Sequence, residues 1–515
     1  MRNEFSVSLV RQAFLLPTQR NQCPVDQLRN FAGLVSTMKP GITEISYDGG
    51  SIAWLTMPPS ADATLLIRNA QVLLSDGNFQ SADVWIEGGV IREIGPNLER
   101  DADTVIEANQ LTLLPGVIDP QVHFREPGLE HKEDLTTASR ACARGGVTSF
   151  LEMPNTKPLT INQDALNDKL TRAAQKSFVN FGFFIGATAE NLPDLQTATP
   201  TPGIKIFMGS MHGDLLVDQE AALDRIFATG TRLIAVHAED QARIAQRRQE
   251  FAGSTDPAIH SVIQDNQAAL NATQLALKLS KKYQRRLHIL HLSTAEEAEL
   301  LRHDKPAWVT AEVTPQHLLL NTGDYEKLGS LIQMNPPIRN VHDNAVLWQA
   351  LQDGVIDFIA TDHAPHTLAE KGMANAANPA DEEATSTTVF LEPAKVPSGM
   401  PGVETSLPLM LTQAMQGRCS VAQVSHWMST AVAKAYGIVG KGAIASGYDA
   451  DLVLVDLDKY HPVLREELQT KCGWSPFEGW NLTGWPVMTI VGGEVVYNRG
   501  QFNGQVRGRA LMFNT

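Results

Sequence analysis

Between residues 115 and 435 the chain repeats one alternation, and that alternation limits the folds open to it. Short apolar runs of β character recur, separated by stretches of helical periodicity. The runs are "GVIDPQVH" (116–123), "VTSFLEM" (147–153), "VNFGFFIG" (179–186), "GIKIFM" (203–208), "RLIAVH" (232–237), "RLHILH" (286–291), "WVTAEVT" (308–314) and "DFIATD" (357–362). Helical patterns such as "NQAALNATQLALKLSKKY" (266–283) lie between them. Eight βα units are what a TIM-like (β/α)8 barrel needs. A doubly wound sheet is the other α/β arrangement, but the polar residues that end so many runs favour the barrel.

The flanks read differently. From about residue 63, "TLLIRNAQVLL", "ADVWIEGGVIREIG" and "DTVIEANQLTLLPG" are short apolar runs with turn signals at Asp76-Gly77 and Gly88-Gly89. The signature returns in "YDADLVLVDL" (448–457) and "VMTIVGGEVVYNRG" (487–500), the latter a hairpin pattern with Gly492-Gly493 at its turn. A small β-sandwich built from both chain ends is therefore expected. The predicted division is 1–62 as an unassigned extension, 63–114 and 439–515 as the two sandwich parts, and 115–438 as the barrel. Residues 1–60 carry no interpretable periodicity beyond a small hairpin pattern at "SYDGGSIAWLTM" (46–57), and Met57 is a plausible alternative start.

Charge narrows the function. With 42 Lys+Arg against 57 Asp+Glu the net charge is −15, which opposes nonspecific binding to nucleic acid or to an anionic membrane. A locally basic cleft for an anionic small molecule stays open. Cys23, Cys142, Cys419 and Cys472 are far apart and lack metal-type spacing, so they read as reduced thiols. No apolar run approaches the roughly 18 residues of a membrane span. The N-terminal "LVRQAFLL" is interrupted by Arg11 and makes a poor signal peptide, so a cytoplasmic protein is expected.

Taken singly, His123, His237 and His291 have structural explanations, and Asp362 before "HAPH" can simply cap a helix. Together they end four different predicted strands, on the rim where a (β/α)8 barrel gathers catalytic groups. Three imidazoles and a carboxylate there suit a zinc-type hydrolytic site. Lys205 lies inside "GIKIFMG", where burial disfavours a bare ammonium. Either a carboxylate pairs with it, or carbon dioxide carboxylates it into an anionic bridge between two metal ions. Two ions about 3.5–4 Å apart can share a hydroxide for attack on an amide carbon. Asp362 then moves the proton as general acid and base. Gln121 precedes His123 by two residues and shares its strand face.

"VHFREPG", "MPNTKP", "IKIFMG", "VHAED", "HILHLST", "EVTPQHLLL", "MNPPIR", "TDHAPHT", "PSGMPGVETSLPL" and "GYDADLVLVD" occur in this order. In that order they resemble the amidohydrolase superfamily, and within it the dihydroorotases, over about residues 63–510. The resemblance implies reversible conversion between L-dihydroorotate and N-carbamoyl-L-aspartate in pyrimidine biosynthesis. It implies one or two zinc ions per subunit, held by His123, Lys205, His237, His291 and Asp362, with Lys205 matching a carboxylated bridging lysine. Gln121 stands where the family pattern has histidine. A working site with a weakened first metal is expected, in which Gln121 adds an amide oxygen or hydrogen-bonds a ligand.

The resemblance also assigns specificity. Arg125 and Asn155 match residues that bind the substrate's α-carboxylate, and Asn335 and His366 match residues that hold the ring amides and the carboxylate. The bland reading of Arg125 is a loop arginine paired with Glu126 or Glu130. After the eighth run, about 372–388 reads as a disordered insertion, and the flanking "PSG" as a lid with Ser398 and Gly399 as backbone contacts. A homodimer is the family's common form. The competing readings are an allantoinase- or hydantoinase-type amidase, and an inactive subunit that scaffolds aspartate transcarbamoylase. Arg125 opposes the first, and the five retained candidate ligands oppose the second.

Overall fold

A computed structural model describes residues 62–211, 213–373 and 395–514. The readings made above for residues 1–60 and for 374–388 fall outside them. All described residues belong to one compact unit, Pro58–Thr515.

The flanking segments share one nine-stranded sheet. Its N-terminal members are β1 (Thr64–Leu73), β2 (Phe79–Glu87), β3 (Val90–Gly95), β4 (Thr104–Glu107) and β5 (Thr112–Pro115). The middle of the chain contributes β6 (Val117–Val122), β7 (Val147–Glu152), β8 (Asn180–Phe183), β9 (Ile185–Gly186) and β10 (Ile204–Phe207). It continues with β11 (Ile234–His237), β12 (Leu287–Ile289), β13 (Val309–Val313) and β14 (Phe358–Ile359). The chain returns to the first sheet with β15 (Leu452–Pro462), β16 (Asn481–Val491), β17 (Glu494–Asn498) and β18 (Gln501–Phe502). Strand β5 joins the two ends, parallel to β1 on one side and antiparallel to β15 on the other. Leu65, Ile67, Val84, Ile86, Leu452 and Leu454 pack into one apolar cluster on this sheet. Gly492 and Gly493, both at positive φ, make the tight turn between β16 and β17.

The middle strands are parallel and almost wholly buried, as expected of strands covered by helices. They form two sheets, β6-β7-β8 and β9-β10-β11-β12-β13-β14, rather than one continuous ring. The run at 179–186 breaks at Phe184, whose N–H goes to Glu152 O, so β8 pairs with β7 and β9 with β10. The last run keeps only Phe358–Ile359 in the ladder. Pro120 inside β6 has no N–H to give, and the pairing with β7 is irregular between Asp119 and Val122. An isolated parallel bridge, Val122 to His363, connects β6 to the chain just past β14.

Helices return the chain between strands. The one spanning Asn266–Tyr283 matches its predicted range and buries Ala268, Ala269, Ala272, Ala276 and Leu277. Small side chains on that face let the helix lie close to the strands. Asp134, Asp240, Asp265 and Thr294 cap four helix N-termini, each cap contributing about 1 kcal/mol. Thr294 lies three residues past His291, so a short loop fixed at both ends carries that imidazole. Among the described residues no helix is long and apolar enough to cross a membrane.

Candidate functional site

The strand ends open into a cavity lined by Gln121, His123, Lys205, His237, His291 and Asp362, together with Arg125, Asn155, Asn335, Ser398 and Gly399. His237 is the last residue of β11, while His123, His291 and Asp362 lie one, two and three residues beyond β6, β12 and β14. On β10, Ile204 and Ile206 enter the apolar core, whereas Lys205 belongs to the opposite face and lines the cavity. His291, Asp362 and Arg125 have φ values of 35°, 48° and 70°, in the left-handed region that non-glycine residues rarely adopt.

The donors form two pairs in one cavity lining. On one side His123 Nε2 is 3.2 Å from Asp362 Oδ1, and His123 Nδ1 is 2.7 Å from Asn155 Oδ1. Gln121 Nε2 donates to the same Asp362 Oδ1 at 3.1 Å. On the other side His237 Nδ1 is 3.0 Å from His291 Nε2, and His237 Nε2 is 2.8 Å from Glu239 Oε2. Burial pushes Glu239 up, but the His237 bond and charge, the Ser210 hydroxyl and Arg339 outweigh it and leave the carboxyl below its ordinary value. Glu239 therefore accepts the Nε2 proton of His237, and in the neutral form of that ring the Nδ1 lone pair is directed toward His291 Nε2.

Among the described residues Lys205 has no hydrogen-bond or ion-pair partner. It is 1% exposed, its Nζ makes no hydrogen bond, and no carboxylate lies within ion-pair distance among the described residues. The ammonium sits 4.3 Å from the Phe207 ring centre, and burial pushes it down to about 7 against the attraction of Asp362 and Glu312. The paired-lysine reading is thus not what the structure shows.

Among the described residues no three His, Cys, Asp or Glu side chains converge as a ready-made metal cage. The donor set nevertheless fits a divalent ion. Burial lowers the His123 pKa, and a neutral ring has one proton for two facing acceptors, Asn155 Oδ1 and Asp362 Oδ1. With the proton on Nδ1, a lone pair is left against a carboxylate, an arrangement that a cation resolves. Gln121 Oε1 and Lys205 Nζ, buried and without a hydrogen-bond partner among the described residues, add two more unsatisfied groups to the same cavity lining.

The Arg125 part of the lining suits a carboxylate. Arg125 is 7% exposed, and its Nε donates to Pro365 O at 3.1 Å. Neither glutamate of the bland reading holds it. Glu126 takes Lys176 and the Leu135 N–H, and Glu130 takes the Gly128 N–H. No carboxylate lies within 4 Å of the guanidinium among the described residues, and burial lowers it to about 10. His366 stands beside it, with Nε2 3.1 Å from Arg125 Nη2 and 3.2 Å from Ser398 O. The Lys132 ammonium lies 3.1 Å from His366 Nδ1, which makes that nitrogen the acceptor and places the ring proton on Nε2, toward Ser398 O. Arg125 Nη2 thus keeps its protons for a ligand.

Sequence reasoning missed the supporting groups. Glu239 had a signal, two residues after His237 in "VHAED". His260 meets Asn335 Oδ1 at 2.9 Å, leaving the Asn335 amide hydrogens for the cavity. Buried Lys371 donates to the carbonyls of Gln333, Pro397 and Gly399 at 3.0–3.1 Å and ties down the Ser398–Gly399 edge. Neither His260 nor Lys371 carries a motif.

The sequence profile of the amidohydrolase family matches residues 112–496, and the chain belongs to that family. Within it, the chain is 36% identical over 453 residues to the dihydroorotase of Methanosarcina acetivorans, covering 85% of this chain and 92% of that one. It is 32% identical to the Bacillus subtilis dihydroorotase, covering 85% and 99%. Among solved structures, the L-hydantoinase (dihydropyrimidinase) of Arthrobacter aurescens superposes with a TM-score of 0.81 at 29% identity, covering 87% of this chain and 99% of that one.

Proposed function

We infer that this protein is a dihydroorotase, a metal-dependent cyclic amide hydrolase that interconverts L-dihydroorotate and N-carbamoyl-L-aspartate. The observation that carries the choice is Arg125, a buried guanidinium lining the cavity with no carboxylate within ion-pair distance among the described residues. Dihydroorotate brings a ring carboxylate to that fork, and a simple hydantoin ring brings none. Relatives of both kinds share the fold, so the discrimination falls on this wall.

His123, His237, His291, Asp362 and a carboxylated Lys205 are the residues that would hold zinc. A bound divalent ion would polarise the ring carbonyl and ready a water for attack. Hydrolysis adds that water across the ring amide, breaking its C–N bond to give a carboxylate and a ureido NH2. Both contacts of Asp362 fall on Oδ1, which leaves Oδ2 to take the water's proton and return it to the departing nitrogen. The Asn335 amide hydrogens, left free of His260, would donate to a ring carbonyl. Burial pushes the Lys205 ammonium down to about 7, so a substantial neutral-amine fraction is available near physiological pH. That amine adds to the carbon of carbon dioxide and loses a proton, becoming a carbamate anion.

The architecture that suits this chemistry is a closed (β/α)8 barrel, residues 115–438, flanked by a β unit from 63–114 and 439–515. Two links support closure: the Val122–His363 bridge with its 2.7 Å bond from His123 N to His363 O, and the near-continuity of β8 and β9. The test is turnover of both dihydroorotate and carbamoyl aspartate by zinc-replete protein, against hydantoin and allantoin. Turnover of a hydantoin but neither pyrimidine-pathway compound overturns the assignment.

A further inference from the structure

We propose that Gln121 leaves this centre with a single tight metal site, on the His237–His291 side, and turns the first-strand side into a hydrogen-bonded clamp on Asp362. This rests on the metal-dependent reading above. The Gln121 side chain is buried, and its Nε2 lies 3.1 Å from Asp362 Oδ1. Its orientation is fixed by chemistry, since the flipped amide would set Oε1 against a carboxylate oxygen, acceptor to acceptor. The N–H therefore occupies a lone pair of Asp362. The same oxygen already faces His123 Nε2.

The position is held from below. Gln121 N donates to Asp119 Oδ1, and Asp119 also accepts the backbone N–H and the hydroxyl of Thr361, the residue before Asp362. One buried carboxylate thus fixes the bases of both Gln121 and Asp362. What remains for an ion on this side is one imidazole, a carboxylate with one oxygen engaged, the neutral Gln121 Oε1 and a share in a carboxylated Lys205. A neutral amide oxygen is a poorer donor to zinc than the imidazole it would replace. The other side keeps two imidazoles, one of them held by Glu239. Lys205 lines the same cavity with a free Nζ.

The test is stoichiometry rather than turnover. Metal-free protein is titrated with zinc against a chromogenic chelator, bound metal is counted after desalting, and circular dichroism checks the fold. The expected result is one tight ion per chain in the native protein and two in Gln121→His. His237→Ala should lose the tight ion, and His123→Ala should keep it. Two tight ions in the native protein, none, or still one in Gln121→His each overturn the proposal without depending on the alanine variants. If the counts come out as expected while dihydroorotate is not turned over, the functional assignment fails and this inference stands.

Discussion

Glu239 Oε2 lies 2.8 Å from His237 Nε2, and both groups belong to one short stretch at the end of β11. An imidazole at a strand end is fixed only when its outer nitrogen is held, and this carboxylate holds it. Glu239→Ala should weaken zinc binding by about 10- to 100-fold, as loss of such a support does elsewhere. Chelator competition measures it, and an unchanged affinity would remove Glu239 from the metal-supporting role.

Arg125→Gln keeps a polar side chain but removes the charge and the fork. Loss of a desolvated charge pair with the substrate carboxylate costs about 2–4 kcal/mol, or roughly 30- to 1000-fold in kcat/KM. The loss should appear with dihydroorotate and be absent for a hydantoin lacking a carboxylate. Equal losses on both would make Arg125 a structural residue.

Burial disfavours the Lys205 ammonium and pushes it down to about 7. The neutral amine, which alone reacts with carbon dioxide, therefore grows as pH rises through about 7 and vanishes as pH falls. Metal-free protein in 13C-bicarbonate should show a carbamate carbon resonance that follows this direction and is missing in Lys205→Arg. Its absence at pH 8 would rule out spontaneous carboxylation of Lys205.

Gly399 has φ +136°, and a Cβ there would sit 2.4 Å from Ala364 O and 3.2 Å from His366 Cδ2. Gly399→Ala must push the Ser398–Gly399 edge away from the cavity. KM for dihydroorotate should rise about tenfold or more while zinc content stays native, read by steady-state kinetics and metal analysis. A normal KM would show that this edge does not meet substrate.

Much of this architecture was legible because burial leaves a strong mark. Every one of the eight runs contains a strand, since Val- and Ile-rich segments covered by helices have little else to do. Their ends were drawn too long where polar residues such as Asp362 leave the ladder to face the cavity. The break at Phe184 was hidden, because an apolar residue outside the ladder looks like one inside it. Within the cavity, residues at strand ends could be marked from the pattern of alternation. Lys371 and His260 could not, because a residue that acts through a backbone carbonyl or another side chain leaves no spacing to read. The role of Gln121 was likewise undecided in sequence. Only the 3.1 Å contact with Asp362, 241 residues away, makes it a hydrogen-bond donor.

The left-handed backbone at Arg125, His291 and Asp362 sets a limit on how this protein can be hardened. A non-glycine residue held there costs about 1–2 kcal/mol, and glycine at the same place does not. A library selected for heat resistance alone should therefore drift toward glycine at these three positions, gaining melting temperature as it discards the side chains that face the cavity. Thermal improvement of this scaffold has to be sought in its capped helices and flanking sheet, with the three strained positions held constant.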